Sequence, residues 1–265
     1  MRLALTLALS LLLPACAGAH FDVVRPLTRT PPIEIRQLRL SWSNVFLLRS
    51  GETAILVDSG SPGDWNDLVS ALAQEHLGPS DLGLVVLTHG HADHAGLAAR
   101  LQREHVSVAL GEGDVPMASR GHDDALNATS PLGDLLRPFV DFPYDAFTPD
   151  LVVRGEIDLA QFGLPRALIV PMPGHTPGSL VVRIGMDEAL VGDQMLGGLG
   201  GALGSGTAGE HFYQTDLHRN HCNVLSLLED GVQRFYTGHG GPLDRPTVVG
   251  WEHDWERDAA RCREP

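Results

Sequence analysis

The chain contains no lysine; all 19 of its basic residues are arginine, set against 33 aspartates and glutamates for a formal charge of −14 over 265 residues. A surface this acidic repels phosphate backbones and argues against nucleic acid as substrate or partner. The sequence also lacks any apolar run of the roughly 20 residues that cross a bilayer as a helix. Low-complexity tracts are absent as well, and a chain of this length with 43% hydrophobic residues has enough material for one globular domain with an ample core.

Cysteine is scarce, with only three in the chain. Cys16 lies at the end of Leu3 to Ala15, a 13-residue run that is apolar apart from Thr6 and Ser10 and follows the basic start Met1-Arg2. This pattern predicts a signal peptide over residues 1–19 and one mature domain over 20–265. Ala17-Gly18-Ala19 offers a cleavage site before His20, whereas Leu13-Pro14-Ala15-Cys16 resembles a bacterial lipobox that would leave a lipid anchor on Cys16. Both readings stay open, and both predict an exported protein, periplasmic or secreted, whose one link to a membrane is that anchor. Loss of residues 1–19 would leave 18 arginines against 33 acidic residues, a formal charge of −15. Cys222 and Cys262 then remain as a pair, and an oxidising compartment predicts a disulfide between them. Neither sits in a metal-binding spacing.

Histidine is where the chain is rich. Thr88-His89-Gly90-His91-Ala92-Asp93-His94 places three imidazoles and a carboxylate within six positions, directly after the apolar run Leu84 to Leu87. A strand ending there delivers these side chains to a loop at a sheet edge, where a substrate can reach a metal. Imidazole nitrogen and carboxylate oxygen suit zinc, and also iron or manganese. Three more candidates follow apolar runs in glycine-flanked turns, which permit close backbone approach to a ligand. They are His175 after Ala167 to Pro171, Asp193 after Ala189 to Val191, and His239 after Arg234 to Tyr236.

These segments together resemble the metallo-β-lactamase-fold hydrolase superfamily, over roughly residues 40 to 245. Asp58, in Ile55-Leu56-Val57-Asp58-Ser59-Gly60, fits the acidic residue that the family places after an early strand. The resemblance implies an α/β fold, a four-layer αββα sandwich with the metals at one edge. It implies a binuclear centre of two Zn2+ (or Fe or Mn), with His89, His91 and His175 on one ion and Asp93, His94 and His239 on the other. Asp193 would bridge the two, and Asp93 would also act catalytically by orienting the hydroxide and passing a proton to the leaving group. Asp58 would orient a ligand histidine or the loop backbone, and Thr88 and Thr176 would do the same through their hydroxyls or make ordinary turn hydrogen bonds. An aspartate at the bridging position is foreign to true β-lactamases, so the nearer likeness is to glyoxalase-like thioesterases and lactonases. The absence of lysine and the short C-terminal segment disfavour a glutathione thioester.

The expected activity is therefore hydrolysis of a small-molecule ester, lactone or thioester through a metal-bridging hydroxide. Alternatives are a mononuclear iron oxygenase resembling the persulfide dioxygenases, or a phosphodiesterase or sulfatase. Tyr213 is a candidate donor to a substrate carbonyl, with packing as its competing role. The sequence further predicts strands at Val45 to Leu48, Thr53 to Val57, Leu84 to Leu87, Val106 to Leu110, Ala167 to Val170, Leu180 to Ile184, Ala189 to Val191 and Arg234 to Tyr236. Helices are expected at Trp65 to Leu77 (capped by Asp64), His94 to His105 and Thr215 to Leu228, with one short helix in an insertion at 112–150. Gly197 to Gly209, with seven glycines and no charge, reads as a flexible loop or as a mobile lip beside Asp193 that adapts to substrate. The sequence leaves the oligomeric state open.

Overall fold

The computed structural model describes residues 21–25, 33–140, 142–198, 206–252 and 262. Residues 1–19, where a signal peptide with Cys16 was expected, and part of the Gly197 to Gly209 loop lie outside the described residues. The first half of the chain builds a seven-stranded sheet: β1 (Phe21–Arg25), β2 (Glu34–Arg39), β3 (Asn44–Ser50), β4 (Thr53–Val57), β5 (Leu84–Val86), β6 (Val108–Gly111) and β7 (Leu151–Val153), in spatial order of sequence. β1 to β4 pair antiparallel as a meander, and β4 to β7 pair parallel through helical crossovers. Those crossovers carry α1 (Trp65–Gln74), α2 (Ala92–Ala95), α3 (Ala98–Arg103), α4 (Val115–Arg120) and α5 (Pro131–Val140). The second half builds a six-stranded sheet from β8 (Ile157–Asp158), β9 (Ala167–Pro171), β10 (Leu180–Ile184), β11 (Glu188–Gly192), β12 (Arg234–Thr237) and β13 (Leu243–Asp244), with α6 (Leu217–Glu229) and α7 (Arg245–Glu252).

Strand periodicity explains the layering. Successive side chains face opposite ways, and apolar residues occupy both faces. In β4, Ala54 and Leu56 join an outer core with Leu68 and Leu72 of α1 and Leu101 of α3, while Ile55 and Val57 join the core between the sheets. In β11, Leu190 faces the inter-sheet core, and Ala189 and Val191 face a third core under α6 with Val224 and Leu227. Three apolar cores separating helix, sheet, sheet and helix make the fold an αββα sandwich.

The expected strands all form, with ends shifted by no more than two residues. Three helical expectations need correction. The helix expected over His94 to His105 is two short pieces, α2 and α3, parted at Gly96-Leu97. A side chain at Gly96 would run into the carbonyl of Ala92 and into Pro62 at 2.6 Å, so the chain turns there to pack under the 58–62 loop. Asp64 does stand at the start of α1 but does not cap it; its carboxylate accepts from Ser61 N (2.8 Å) and Ser41 Oγ (2.7 Å). The 112–150 insertion holds two helices, α4 and α5. The Cys222–Cys262 disulfide is formed, with Cα atoms 5.4 Å apart.

Candidate metal centre

The seven expected metal ligands and Asp58 all follow the C-terminal end of a strand. Asp58 follows β4, His89 to His94 follow β5, His175 follows β9, Asp193 follows β11 and His239 follows β12. Backbone bonds lock these ends together: Asp58 N to Val86 O (2.8 Å), Leu180 N to Thr88 O (2.7 Å) and Gly238 N to Gly192 O (2.8 Å). Asn44 of β3 ties the two sheets by donating to Thr237 O and Gly240 O. Two backbones are specialised for this. Asp58 sits at φ +64, a conformation Asp tolerates better than most residues. Gly192 sits at φ +53, where a side chain would press on Thr88 Oγ1 at 2.7 Å.

The structure brings all seven expected ligand residues together. The nitrogens of His89, His91 and His175 cluster in one group and the donors of Asp93, His94 and His239 in another, each within 4.8 Å. His91 presents Nδ1, which lies 3.0 Å from His175 Nε2. Asp93 Oδ2 lies 3.6 Å from His94 Nε2 and 3.3 Å from His239 Nε2. Asp193 stands between the groups: its Oδ2 is 3.8 Å from His89 Nε2, 3.7 Å from His175, 3.5 Å from His94 and 3.2 Å from His239.

Supporting atoms fix which nitrogen faces inward. Thr88 Oγ1 donates to Asp58 and so accepts from His89 Nδ1 at 3.0 Å, turning His89 Nε2 to the centre. Asp58 also receives Thr88 N (2.7 Å) and meets His94 Nδ1 at 2.9 Å, which places it behind a candidate ligand as expected. His239 Nδ1 contacts Trp42 O (2.7 Å), and His175 Nδ1 contacts Tyr213 O (2.9 Å). Thr176 does not touch the centre; its hydroxyl donates to Asp114 Oδ2 at 2.7 Å. Tyr213 is a packing residue, since its buried phenol donates to Gly133 O (2.7 Å).

Burial and close neighbours shift the titration of all seven expected ligands strongly. Burial holds His89 and His175 well below the usual imidazole range, helped by neighbouring imidazoles, and brings His91 down to about 4. Burial acts the same way on His94 and His239, but Asp193 and Asp93 override it, raising His94 well above its ordinary value and His239 to about 10. Burial alone would raise Asp193; His239, His94 and His211 outweigh it and hold the carboxylate low. Buried His89 Nε2 and Asp193 Oδ1 have no hydrogen-bond partner. Orphaned lone pairs of this kind are costly unless a cation takes them. The donor set, imidazole and carboxylate without thiolate, suits a divalent metal.

With this geometry in view, the comparisons decide the family. Residues 41–235 match the model of the metallo-β-lactamase superfamily. The chain belongs to that superfamily. It is 28% identical to a probable metallo-hydrolase of Methanocaldococcus jannaschii, over 77% of this chain and 90% of that one. It is 27% identical to a hydroxyacylglutathione hydrolase of Haemophilus influenzae, over 83% and 94%. It is 37% identical to an atrochrysone carboxyl ACP thioesterase of Aspergillus fumigatus, over 78% of this chain and 54% of that one. Among solved structures, the subclass B3 metallo-β-lactamase of Bradyrhizobium japonicum superposes with TM-score 0.58 at 16% identity, covering 92% and 96%. The protein is thus a hydrolase of the metallo-β-lactamase fold, and its His/Asp cluster implies a divalent metal.

Two residues of the centre carried no signal in the sequence. His211 points Nε2 at Asp193 Oδ2 from 3.1 Å, with its ring centroid 4.6 Å from that of His175. Its Nδ1 lies 3.0 Å from Tyr213 O, the same carbonyl that steadies His175. His211 stands outside any strand-end motif, in the irregular segment that leads to α6. Asp114 is buried behind the centre and accepts from Gly90 N, Thr176 Oγ1 and Gly178 N, joining the His89 to His94 loop to the His175 turn. Burial raises its carboxyl to about 6 against the pull of these hydrogen bonds. Outside the centre, a cavity of about 370 Å3 opens from Asp93, His211 and His239 towards α5.

Proposed function

We propose that the protein hydrolyses a carboxylic ester, lactone or thioester at a centre of two divalent ions, zinc by preference. Asp193 carries this reading. A carboxylate whose oxygen lies within 3.8 Å of imidazoles from both donor groups is placed to bridge two ions. On this reading, His89, His91 and His175 hold one ion and Asp93, His94 and His239 the other. When bound, such a pair supplies Lewis acidity for a carbonyl oxygen and a water whose pKa falls towards neutrality.

The chain's own residues do the rest. Asp93 keeps 23% of its side chain exposed, against 2% for Asp193, and so faces the cavity. It orients the attacking water and carries a proton to the departing alkoxide or thiolate. Asp58 and Thr88 hold His94 and His89 from behind. Acyl–oxygen or acyl–sulfur cleavage releases a carboxylic acid and an alcohol or thiol.

The thioesterase and hydroxyacylglutathione hydrolase relatives support acyl transfer to water over phosphoryl transfer. Export is part of the proposal: residues 1–19 read as an export segment, and the Cys222–Cys262 bridge favours an oxidising compartment. Elemental analysis of the purified protein beside a screen of esters, thioesters and lactones tests it. About two zincs per chain with turnover of one acyl class is the expected result. One iron per chain with oxygen consumption would overturn it.

A further inference from the structure

We infer, resting on the ester, lactone or thioester reading, that the non-reacting part of the substrate is an uncharged apolar chain or ring seated against α5. At about 370 Å3 the cavity is of small-molecule size, and its inner end is the candidate metal centre itself. Away from the metal donors its wall is mainly apolar, with Leu126, Leu136, Val140, Leu196, Phe212 and Trp42, and its polar members are Asp123, His211 and Tyr213. The apolar character continues outward, since Leu132 and Leu135 of α5 are 45% and 68% exposed and Trp42 is 52% exposed.

Charge points the same way. No arginine is among the described residues that line the cavity, and the chain has no lysine. Among the described lining residues, the one acidic side chain apart from the metal donors is Asp123, whose Oδ1 accepts from Ala92 N at 2.9 Å and is thereby fixed beside the centre. A substrate carboxylate entering this wall would lose its hydration, find no arginine among the described lining residues and face Asp123. An alkyl or aryl group meets mostly carbon, and the Tyr213 phenol in the lining is already engaged by Gly133 O. The wall therefore selects for neutral acyl groups and against substrates with a carboxylate beyond the scissile bond. The residues that build it lie in the 112–150 insertion and around Leu196 to Phe212, and no site motif reaches them.

The test uses the purified, metal-loaded protein with p-nitrophenyl esters from acetyl to octanoyl, and with the adipoyl monoester beside the isosteric-length hexanoyl ester. Each methylene buried should raise kcat/KM by about threefold to fourfold, and hexanoyl should exceed adipoyl by at least tenfold. Leu136→Arg should invert the hexanoyl-to-adipoyl ratio. A second readout needs no turnover: calorimetric titration with octan-2-one should show binding with a negative heat-capacity change, absent with 6-oxoheptanoate. A flat chain-length series, or a preference for adipoyl, overturns the inference and leaves the hydrolase reading intact. Failure to cleave any ester, thioester or lactone, with octan-2-one still bound, overturns the ester, lactone or thioester reading and leaves the apolar pocket standing.

Discussion

Asp58 shows how one residue serves the backbone and the site at once. Its φ of +64 favours a residue that accepts the left-handed region, and its carboxylate meets Thr88 and His94. Asp58→Asn keeps the backbone preference and one acceptor oxygen but removes the charge behind His94. Partners of metal-ligating histidines typically contribute 10- to 100-fold in metal affinity. The variant should bind zinc about that much more weakly in competition with a chromophoric chelator, while its far-UV spectrum stays unchanged. His211→Ala tests the residue that the sequence concealed. If His211 Nε2 steadies Asp193, its loss should weaken zinc binding by a similar factor; unaltered affinity would leave His211 a wall residue only. Asp93→Ala should lower kcat by 10²- to 10⁴-fold or more, the usual worth of a positioned proton carrier, and retained turnover would sink the proposed role.

Among elements, the strand ends did most to make the site readable. An apolar run that stops at a glycine-flanked His or Asp marks both a buried strand and a side chain held at its C-terminal edge. For that reason β5, β9, β11 and β12 with their seven candidate ligands, and β4 with Asp58, could be read in advance. His211 and Asp114 could not, because each depends on where an irregular segment lies in space rather than on local spacing. The break between α2 and α3 was hidden for the same reason, since it answers to Pro62 in a distant loop. Asp114 joins three elements, and its raised carboxyl gives it a pH signature. Its folded pKa of about 6 lies above the unfolded value near 3.9. The folded state therefore holds the proton more tightly, and the stability this lends is lost as pH climbs from about 4 through 6. Asp114→Asn cannot ionise, so the difference in melting temperature between metal-free wild type and variant should drift in the variant's favour across that window. A constant difference would show that Asp114 titrates normally. Gly238, at the end of β12, makes a sharper steric test. A methyl group there would collide with Asp193 Oδ1 and press His94 Cε1 at 2.7 Å. Gly238→Ala should lose bound metal while its secondary structure remains.

On the scale of the molecule, the centre draws its donors from both sheets, beside direct links such as Asn44 to Thr237 O and Leu180 N to Thr88 O. The donors come from the ends of β5 on one side and of β9, β11 and β12 on the other. Unfolding either half therefore dismantles both donor groups, so metal affinity becomes folding stability. Free zinc at about a thousand times its dissociation constant adds about 4 kcal/mol. For a chain of this size each kcal/mol moves the melting temperature by about 2–4 °C. Stripping the protein with a chelator should then lower the melting temperature by roughly 10 °C, and readdition of zinc should restore it. The disulfide makes a contrasting case, because Cys222 and Cys262 lie on the α6 side of the second sheet, away from the seven donors. Reduction should shift the melting temperature by a comparable increment with and without zinc, because sites without shared partners contribute additively. If reduction instead abolished the zinc-dependent shift, the C-terminal segment would have to be coupled to the centre through α6, whose Asn220 packs against the His175 turn at Gly174.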